Sequence, residues 1–307
     1  MTASGPPPLV SVGLPVYNGG RYLGEAIESV LSQTFTEFEL VICDNASTDE
    51  TMEICRSYVS SDRRVRYARS RVNVGVNRNY NRVARMSRGR YFKWMAADDR
   101  LRPDFLARCV TALGDDPRAV LVTPEFCDID EHGVVAGSYP YDLDLTATSP
   151  VERFAHLMCT SQGQRLLYGL MRRDMLLKTR LLTDFYGSDR PLLSKIVLRG
   201  RVVVLPGVAW ESREHPGRSP HMLTSPSWRG RRPARDGLVH LKIAAVVLDG
   251  IARSPVSGRE RIMCVRRLIS CIFARRERFA SAVAAEVRDV VQAPHRGRDR
   301  RGDRLGR

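Results

Sequence analysis

"LVSVGLPVYNGGRYLGEAIESVLSQ" (residues 9–33) changes its period halfway along. Residues 9–17 are apolar and rich in β-branched side chains, and Asn18-Gly19-Gly20 closes the run, the pattern of a buried strand and a turn. From Arg21 onward, Leu23, Ala26, Ile27, Val30 and Leu31 recur at helical spacing. A continuous apolar strand followed at once by an amphipathic helix is the opening unit of a parallel α/β sheet.

The alternation repeats outward from there. "FELVICD" (38–44) reads as a second buried strand. A helix through Tyr58 follows, which Ser47 or Thr48 can cap and whose first turn Asp49 and Glu50 suit. "VRYARS" (65–70) is a third strand, residues 77–87 a basic helix ending at Gly89, and "RYFKWMA" (90–96) a fourth strand. "RPDFLARCVTAL" (102–113) is a helix with Pro103 near its start, and "AVLVTPE" (119–125) a fifth strand. The predicted fold is α/β, a mostly parallel central sheet with helices on both faces. Such sheets bind ligands at the C-terminal ends of their strands. Three strand ends carry polar pairs there: Tyr17-Asn18, Asp44-Asn45 and Asp98-Asp99.

After residue 130 the alternation weakens. Residues 132–150 read as a loop with a short hairpin, 151–159 and 173–182 as helical, 189–200 as a helix stopped by Gly200, and "RVVVLPG" (201–207) as a strand. The expected organisation is a tail (1–8), a first half (9–125), a second half (126–210), a flexible lid or linker rich in Pro, Gly, Ser and Arg (211–236), C-terminal helices (237–292) and a basic disordered tail (293–307).

The totals bound the class. A chain of 307 residues with 43% apolar content builds one large α/β domain, or one domain with an appendage. No run of eighteen apolar residues occurs, so no transmembrane helix is expected. "MTASGPPPLV" (1–10) has neither a basic nor an apolar leader segment, so no signal peptide is expected. The seven cysteines are scattered without a C-x-x-C pair, which predicts buried reduced thiols in a cytoplasmic protein. Of the net charge of +15, most sits late: residues 201–307 hold 23 Lys and Arg against 10 Asp and Glu, and residues 1–200 hold 26 against 24. Nucleic acid, an anionic membrane surface and a phosphorylated ligand are the partners such charge admits. With 7% aromatics and no groove-reading motif, no nucleic-acid partner is expected. Only four of the 49 basic residues are Lys, a bias that weakens charge as a functional signal.

"YFKWMAADDR" (91–100) ends an apolar run in two adjacent carboxylates. Like charges side by side raise each other's pKa unless a cation holds them. A simple turn after a strand accounts for them too.

In order and spacing, five stretches resemble glycosyltransferase family 2, the inverting enzymes of the GT-A fold, over roughly residues 9–215. They are "VSVGLPVYNGGRYLGEAIESVLSQTF" (10–35), "FELVICDNASTDET" (38–51), "NVGVNRNYNRVARMSRGRYFKWMAADD" (73–99), "YGLMRRDML" (168–176) and "FYGSDRPLLSKIVLRGRVVVLP" (185–206), the last leading to "REHPGRS" (213–219). The resemblance implies transfer of a single sugar from a nucleotide-diphosphate donor, most often UDP, to an acceptor hydroxyl. Pro15, Tyr17, Asp44 and Asn45 match the family's nucleotide-binding pattern, with Tyr17 suited to stack on the base and Asp44 to accept from base or ribose. The family's Arg-Asn before the fourth strand falls on Tyr80-Asn81 or, shifted, on Arg78-Asn79, making Asn81 a donor-binding candidate. Its D-x-D-D metal motif has Ala96 at the first Asp, leaving Asp98 and Asp99 to share the metal and ribose roles. A divalent cation, Mn²⁺ or Mg²⁺, is the implied cofactor, since hard cations prefer carboxylate oxygens. Asp189 of "GSD" (187–189) matches the position of the catalytic base, with a helix cap as its structural alternative. His215 is a third metal-ligand candidate, and Arg213 and Arg218 are phosphate-clamp candidates. The Q-x-x-R-W stretch of processive synthases is absent, which favours single transfer. A sugar-phosphate nucleotidyltransferase and a non-enzymatic basic nucleic-acid-binding protein are the alternatives; the first lacks its Gly-rich phosphate loop after the opening strand.

One stretch lies outside this frame. In "RIMCVRRLISCIFARRERF" (261–279), Ile262, Val265, Leu268, Ile269 and Ile272 are expected on one helical face, with Arg on the others. Such a helix either packs on the domain or lies on an anionic membrane, which would place the enzyme peripherally at the inner membrane face.

Overall fold

The computed structural model describes residues 6–139, 143–160, 162–216, 239–274 and 283. The first half matches the expected alternation: β1 (Val10–Val16), α1 (Gly20–Leu31), β2 (Phe38–Asp44), α2 (Thr51–Ser61), β3 (Val65–Arg69), α3 (Val76–Met86) and β4 (Tyr91–Trp94). A two-residue strand β5 (Arg100–Leu101), α4 (Phe105–Asp115) and β6 (Ala119–Ile129) follow. The second half adds β7 (Val135–Tyr139), α5 (Pro150–Cys159), a 3-10 segment (Gln162–Tyr168), β8 (Leu170–Arg172), α6 (Arg173–Leu177), α7 (Asp189–Val197) and β9 (Arg201–Arg213). Two further helices, α8 (Val239–Ala252) and α9 (Gly258–Ala274), complete the described chain.

One sheet runs through the molecule in the order β3-β2-β1-β4-β8-β6-β9-β5, with β7 on the edge of β6. β1, β2, β3 and β4 are parallel, as are β6 and β9. β8 enters antiparallel between β4 and β6, so the sheet is more mixed than the opening alternation implied. β8 is only three residues long, pairs with two residues of each neighbour and turns directly into α6.

Alternating side chains on the strands feed two cores. Val12, Leu14, Leu40 and Ile42 pack with Leu23, Ile27 and Val30 of α1 and with Phe105, Leu106 and Cys109 of α4. Val41, Cys43, Phe92 and Trp94 face the other way, with Val83 of α3, Phe154 of α5, Leu193 and Ile196 of α7, Val247 of α8 and Leu268 of α9. This is a sheet covered on both faces.

Several boundaries moved. α2 begins at Thr51 with Glu50 at its cap position, so neither Ser47 nor Thr48 caps it; the Ser47 hydroxyl instead accepts the Asn18 backbone N–H at 2.9 Å. α6 stops at Leu177, short of the expected 182, and Leu181 takes a positive φ of 57°. β9 runs on to Arg213, so the expected lid does not begin at 211; residues 217–236 of it lie outside the described residues. The expected breaks at 125/126 and 210/211 fall inside β6 and β9, which pair along their length.

Candidate active site

Three strand ends and the tail of β9 meet at one edge of the sheet. The loop after β1 is shaped by its neighbour after β2. Asn18 takes φ 49°, its backbone N–H donates to the Ser47 hydroxyl, and its Oδ1 accepts from Thr48 N at 2.8 Å. The Gly20 N–H donates to Asp49 Oδ2 at 2.9 Å, and a Cβ on Gly20 would strike the Glu50 side chain. Tyr17 stands half-buried at the start of this loop, and Pro15 is buried in β1 beneath it.

Asp44 is fully buried and organises the second loop. Its carboxylate accepts from Ser47 N at 2.8 Å, the Tyr67 hydroxyl at 2.7 Å and Arg69 Nε at 3.0 Å. Asn45, also buried, donates from Nδ2 to Asn73 Oδ1 and accepts Val74 N, tying this loop to the segment before α3. The structure thus brings Tyr17, Asp44 and Asn45 to one region, with the last two acting as its frame.

Asn81 is not part of that region's surface. Its Nδ2 donates to Leu182 O at 2.7 Å and its Oδ1 accepts Leu182 N at 3.0 Å, so both ends of the amide are engaged with one backbone residue. Asn77, one turn earlier, donates to Thr183 O and Phe185 O. The expectation of a donor-binding Asn81 gives way to a stitch between α3 and the segment leading to α7. Arg78 pairs with Asp184 and Arg82 bonds Ser70.

The adjacent carboxylates divide their work. Asp99 has no exposed surface: Oδ2 accepts Trp210 Nε1 at 3.0 Å and Oδ1 accepts the Arg213 backbone N–H at 3.0 Å. It anchors the end of β9, which corrects the expectation that both carboxylates face a metal. Asp98 is part-exposed, and its Oδ2 lies 3.2 Å from His215 Nε2. The His215 ring rests against Tyr22, centroids 4.9 Å apart. Arg213, expected as a phosphate clamp, is buried. It donates from Nε to Asp98 O and from Nη1 to Asp130 O and Glu131 O, and it pairs with Glu25. Arg218 lies outside the described residues.

Asp98 and His215 fit a divalent cation as two of its ligands. Two donors bound cis at a metal, each about 2.1 Å from it, stand about 3 Å apart, close to the spacing seen. Among the described residues no group of three His, Cys, Asp or Glu side chains converges on a metal position, so the remaining ligands would come from elsewhere.

Asp189 opens α7, and Ser188 before it makes no side-chain capping bond. Burial pushes the Asp189 carboxyl above its ordinary range, against the lowering effect of the backbone N–H groups of residues 190 and 189 and of the Arg190 charge. Arg190 reaches the other way, donating to the carbonyls of Leu157, Met158 and Thr160 at the end of α5.

Three side chains near the carboxylates were not singled out in the sequence. Lys93 is fully buried on β4, donates to Tyr168 O at 2.6 Å and lies over the Phe105 ring. Desolvation pulls its ammonium down to about 7, opposed by the nearby Asp99 carboxylate. Tyr80 and Tyr168 place their hydroxyls 3.2 Å apart. Burial, the Tyr168 interaction and the charges of Asp98 and Asp99 hold the Tyr80 phenol well above its ordinary value. An isolated Lys in an apolar strand was the available signal; the tyrosines gave none.

Comparisons with known proteins identify the family and the fold. Residues 11–173, just over half of the chain, match the family description "Glycosyl transferase family 2". The chondroitin synthase of Escherichia coli is 34% identical over 137 residues, 44% of this chain and 20% of its own length. Glycosyltransferase GlyG of Streptococcus pneumoniae is 33% identical over 98 residues, 32% of this chain and 33% of its own. The chain therefore spans only a fifth to a third of the length of these two relatives. Among solved structures, S. aureus TarS 1–349 in complex with UDP-GlcNAc superposes with a TM-score of 0.67, covering 86% of this chain and 72% of that one at 15% identity. The mannosyltransferase PcManGT of Pyrobaculum calidifontis, in complex with GDP-Man and Mn²⁺, gives 0.51 at 16% identity, covering 94% and 82%. The fold is GT-A, and with more than half of its length matched, this chain belongs to glycosyl transferase family 2.

Proposed function

We propose that the protein is an inverting glycosyltransferase that moves one sugar from a nucleotide-diphosphate donor, UDP first among the candidates, to an acceptor hydroxyl. The observation that carries this reading is the Asp98–His215 pair at the sheet's C-terminal edge, on the same chain as the desolvated carboxylate of Asp189. Asp98 and His215 would hold Mn²⁺ or Mg²⁺, which supplies Lewis-acid stabilisation of the departing diphosphate. Tyr17 offers a face for the base, beside the loop that Asp44 and Asn45 keep in place. Asp189 takes the proton from the acceptor hydroxyl as its oxygen attacks the anomeric carbon from the side opposite the diphosphate. A raised carboxyl pKa suits this, because a base works best when its pKa approaches the working pH. A solved relative of this fold holds UDP-GlcNAc and another GDP-Man with Mn²⁺, which supports the donor class. Thermal shift with UDP-, dTDP- and GDP-sugars, each with and without Mn²⁺ or Mg²⁺, tests it. A metal-dependent rise with one donor is expected; none with any donor overturns it.

A cytoplasmic enzyme docked on an anionic membrane is the fuller form of this reading. α9 packs only part of its expected face: Leu268 is buried and Val265 and Ile272 lie against the core, with Cys264 and Cys271, while Ile262 and Ile269 are exposed, as are Met263 and Phe273. Arg259, Arg261, Arg266 and Arg267 are exposed on the same helix. Apolar residues and cations on one open helix fit an anionic lipid surface. Arg275 and Arg276 lie outside the described residues. No described helix is long and apolar enough to cross a membrane. Co-sedimentation with anionic but not neutral vesicles is expected, and protein left in the supernatant with both sinks the membrane reading.

A further inference from the structure

Cys159 and Cys271 are 112 residues apart in sequence and bring their Sγ atoms to 2.7 Å. Cys159 is the last residue of α5 and is exposed; Cys271 lies three residues before the end of α9 and is half-buried. The other five cysteines, 43, 55, 109, 127 and 264, are buried. The sequence expectation of seven buried thiols therefore fails at this pair.

We propose that Cys159 and Cys271 form a reversible dithiol site whose substrate class is a low-molecular-weight disulfide. The exposed Cys159 thiolate attacks one sulfur of the small disulfide, forming a mixed disulfide and releasing one small thiol. The Cys271 thiolate then attacks Cys159 Sγ, expelling the second small thiol and closing the protein disulfide. Two protein thiols are oxidised, one small disulfide is reduced to two thiols, and each attacking thiol's proton ends on a departing thiolate. The sulfurs need approach only to about 2.05 Å, a shift of under an ångström.

The tie has a defined place in the fold. It joins α9 to the end of α5, where Arg190 binds the carbonyls of Leu157, Met158 and Thr160. Closing it fixes the C-terminal helices to the element that steadies the start of α7. The proposal is independent of the donor and metal assignments, and its readouts do not involve transfer.

Full-length protein incubated with oxidised glutathione tests it by peptide mass spectrometry and thiol counting. Loss of two alkylatable thiols, a linked 159–271 peptide, a Tm higher by about 4 °C or more, and reversal by dithiothreitol are expected. Cys271→Ser should trap glutathione on Cys159, and Cys159→Ser should abolish the linked peptide while leaving the reduced protein's Tm within about 2 °C. Wild-type protein that retains all its thiols, or that accumulates a stable glutathione adduct on Cys159, overturns the proposal.

Discussion

His215 Nε2 and Asp98 Oδ2 lie 3.2 Å apart, while Asp99, next in sequence, is buried and binds Trp210 and the backbone of Arg213. The chain bends at Ala97-Asp98 after β4, leaving the Asp98 carboxylate part-exposed and Asp99 with no exposed surface. Asp98→Ala should therefore remove Mn²⁺-dependent UDP binding and leave the melting temperature nearly unchanged. Titration calorimetry with UDP in the presence and absence of Mn²⁺ checks this; unaltered affinity would refute the metal role.

Asp99→Ala should behave differently. It strands two buried donors, the Trp210 indole N–H and the Arg213 N–H, at a cost of about 2–4 kcal/mol. Urea unfolding should show that loss, with the largest gain in amide exchange near Arg213. A fully stable Asp99→Ala protein that merely fails to bind metal would contradict the anchoring role.

Asp189→Asn should lower transfer by about 10²–10⁴-fold while donor affinity holds. Burial raises this carboxyl in the folded state, so its protonation favours folding. That contribution is complete below the unfolded-chain value and is lost as pH rises through the folded one. The Asn variant should accordingly melt at or above the wild type at neutral pH. In the wild type, activity should climb with pH across a range above that of an ordinary aspartate. Transfer within a few-fold of wild type in the variant would leave Asp189 as a first-turn helix residue only.

Lys93 gives a second pH signature with the opposite sign. Its folded-state value of about 7 lies below the 10.5 of an exposed lysine, so charging it opposes folding. The penalty is full below about 7 and fades as pH rises toward 10.5. Lys93→Met should flatten the dependence of stability on pH across that window. Melting curves at intervals from pH 6 to 10 measure it, and parallel profiles for the two proteins would show that Lys93 does not titrate there.

Ala46 holds φ 66° in the loop between Asp44 and Ser47. A left-handed alanine costs about 1–2 kcal/mol relative to glycine, offset in part by the extra freedom glycine has when unfolded. Ala46→Gly should gain roughly 0.5–1 kcal/mol in chemical denaturation, with donor binding intact. A net loss would mean that this backbone is unstrained.

The sequence by itself determined the first half of this protein. The strand and helix periods of residues 9–125 depend on local alternation of apolar side chains, and the polar pairs at 17–18, 44–45 and 98–99 follow from where those strands end. Contacts between distant segments were decided only by the tertiary structure. Asn81 and Leu182 are 101 residues apart, Asp99 and Trp210 are 111 apart, and Cys159 and Cys271 are 112 apart. An Asn on a helix reads the same whether its amide meets a ligand or a backbone, and Asp98 reads like Asp99. The direction each side chain takes, and what the sheet order β4-β8-β6-β9 brings to meet it, separates them, because hydrogen-bond geometry and burial arise from packing rather than from position in the chain.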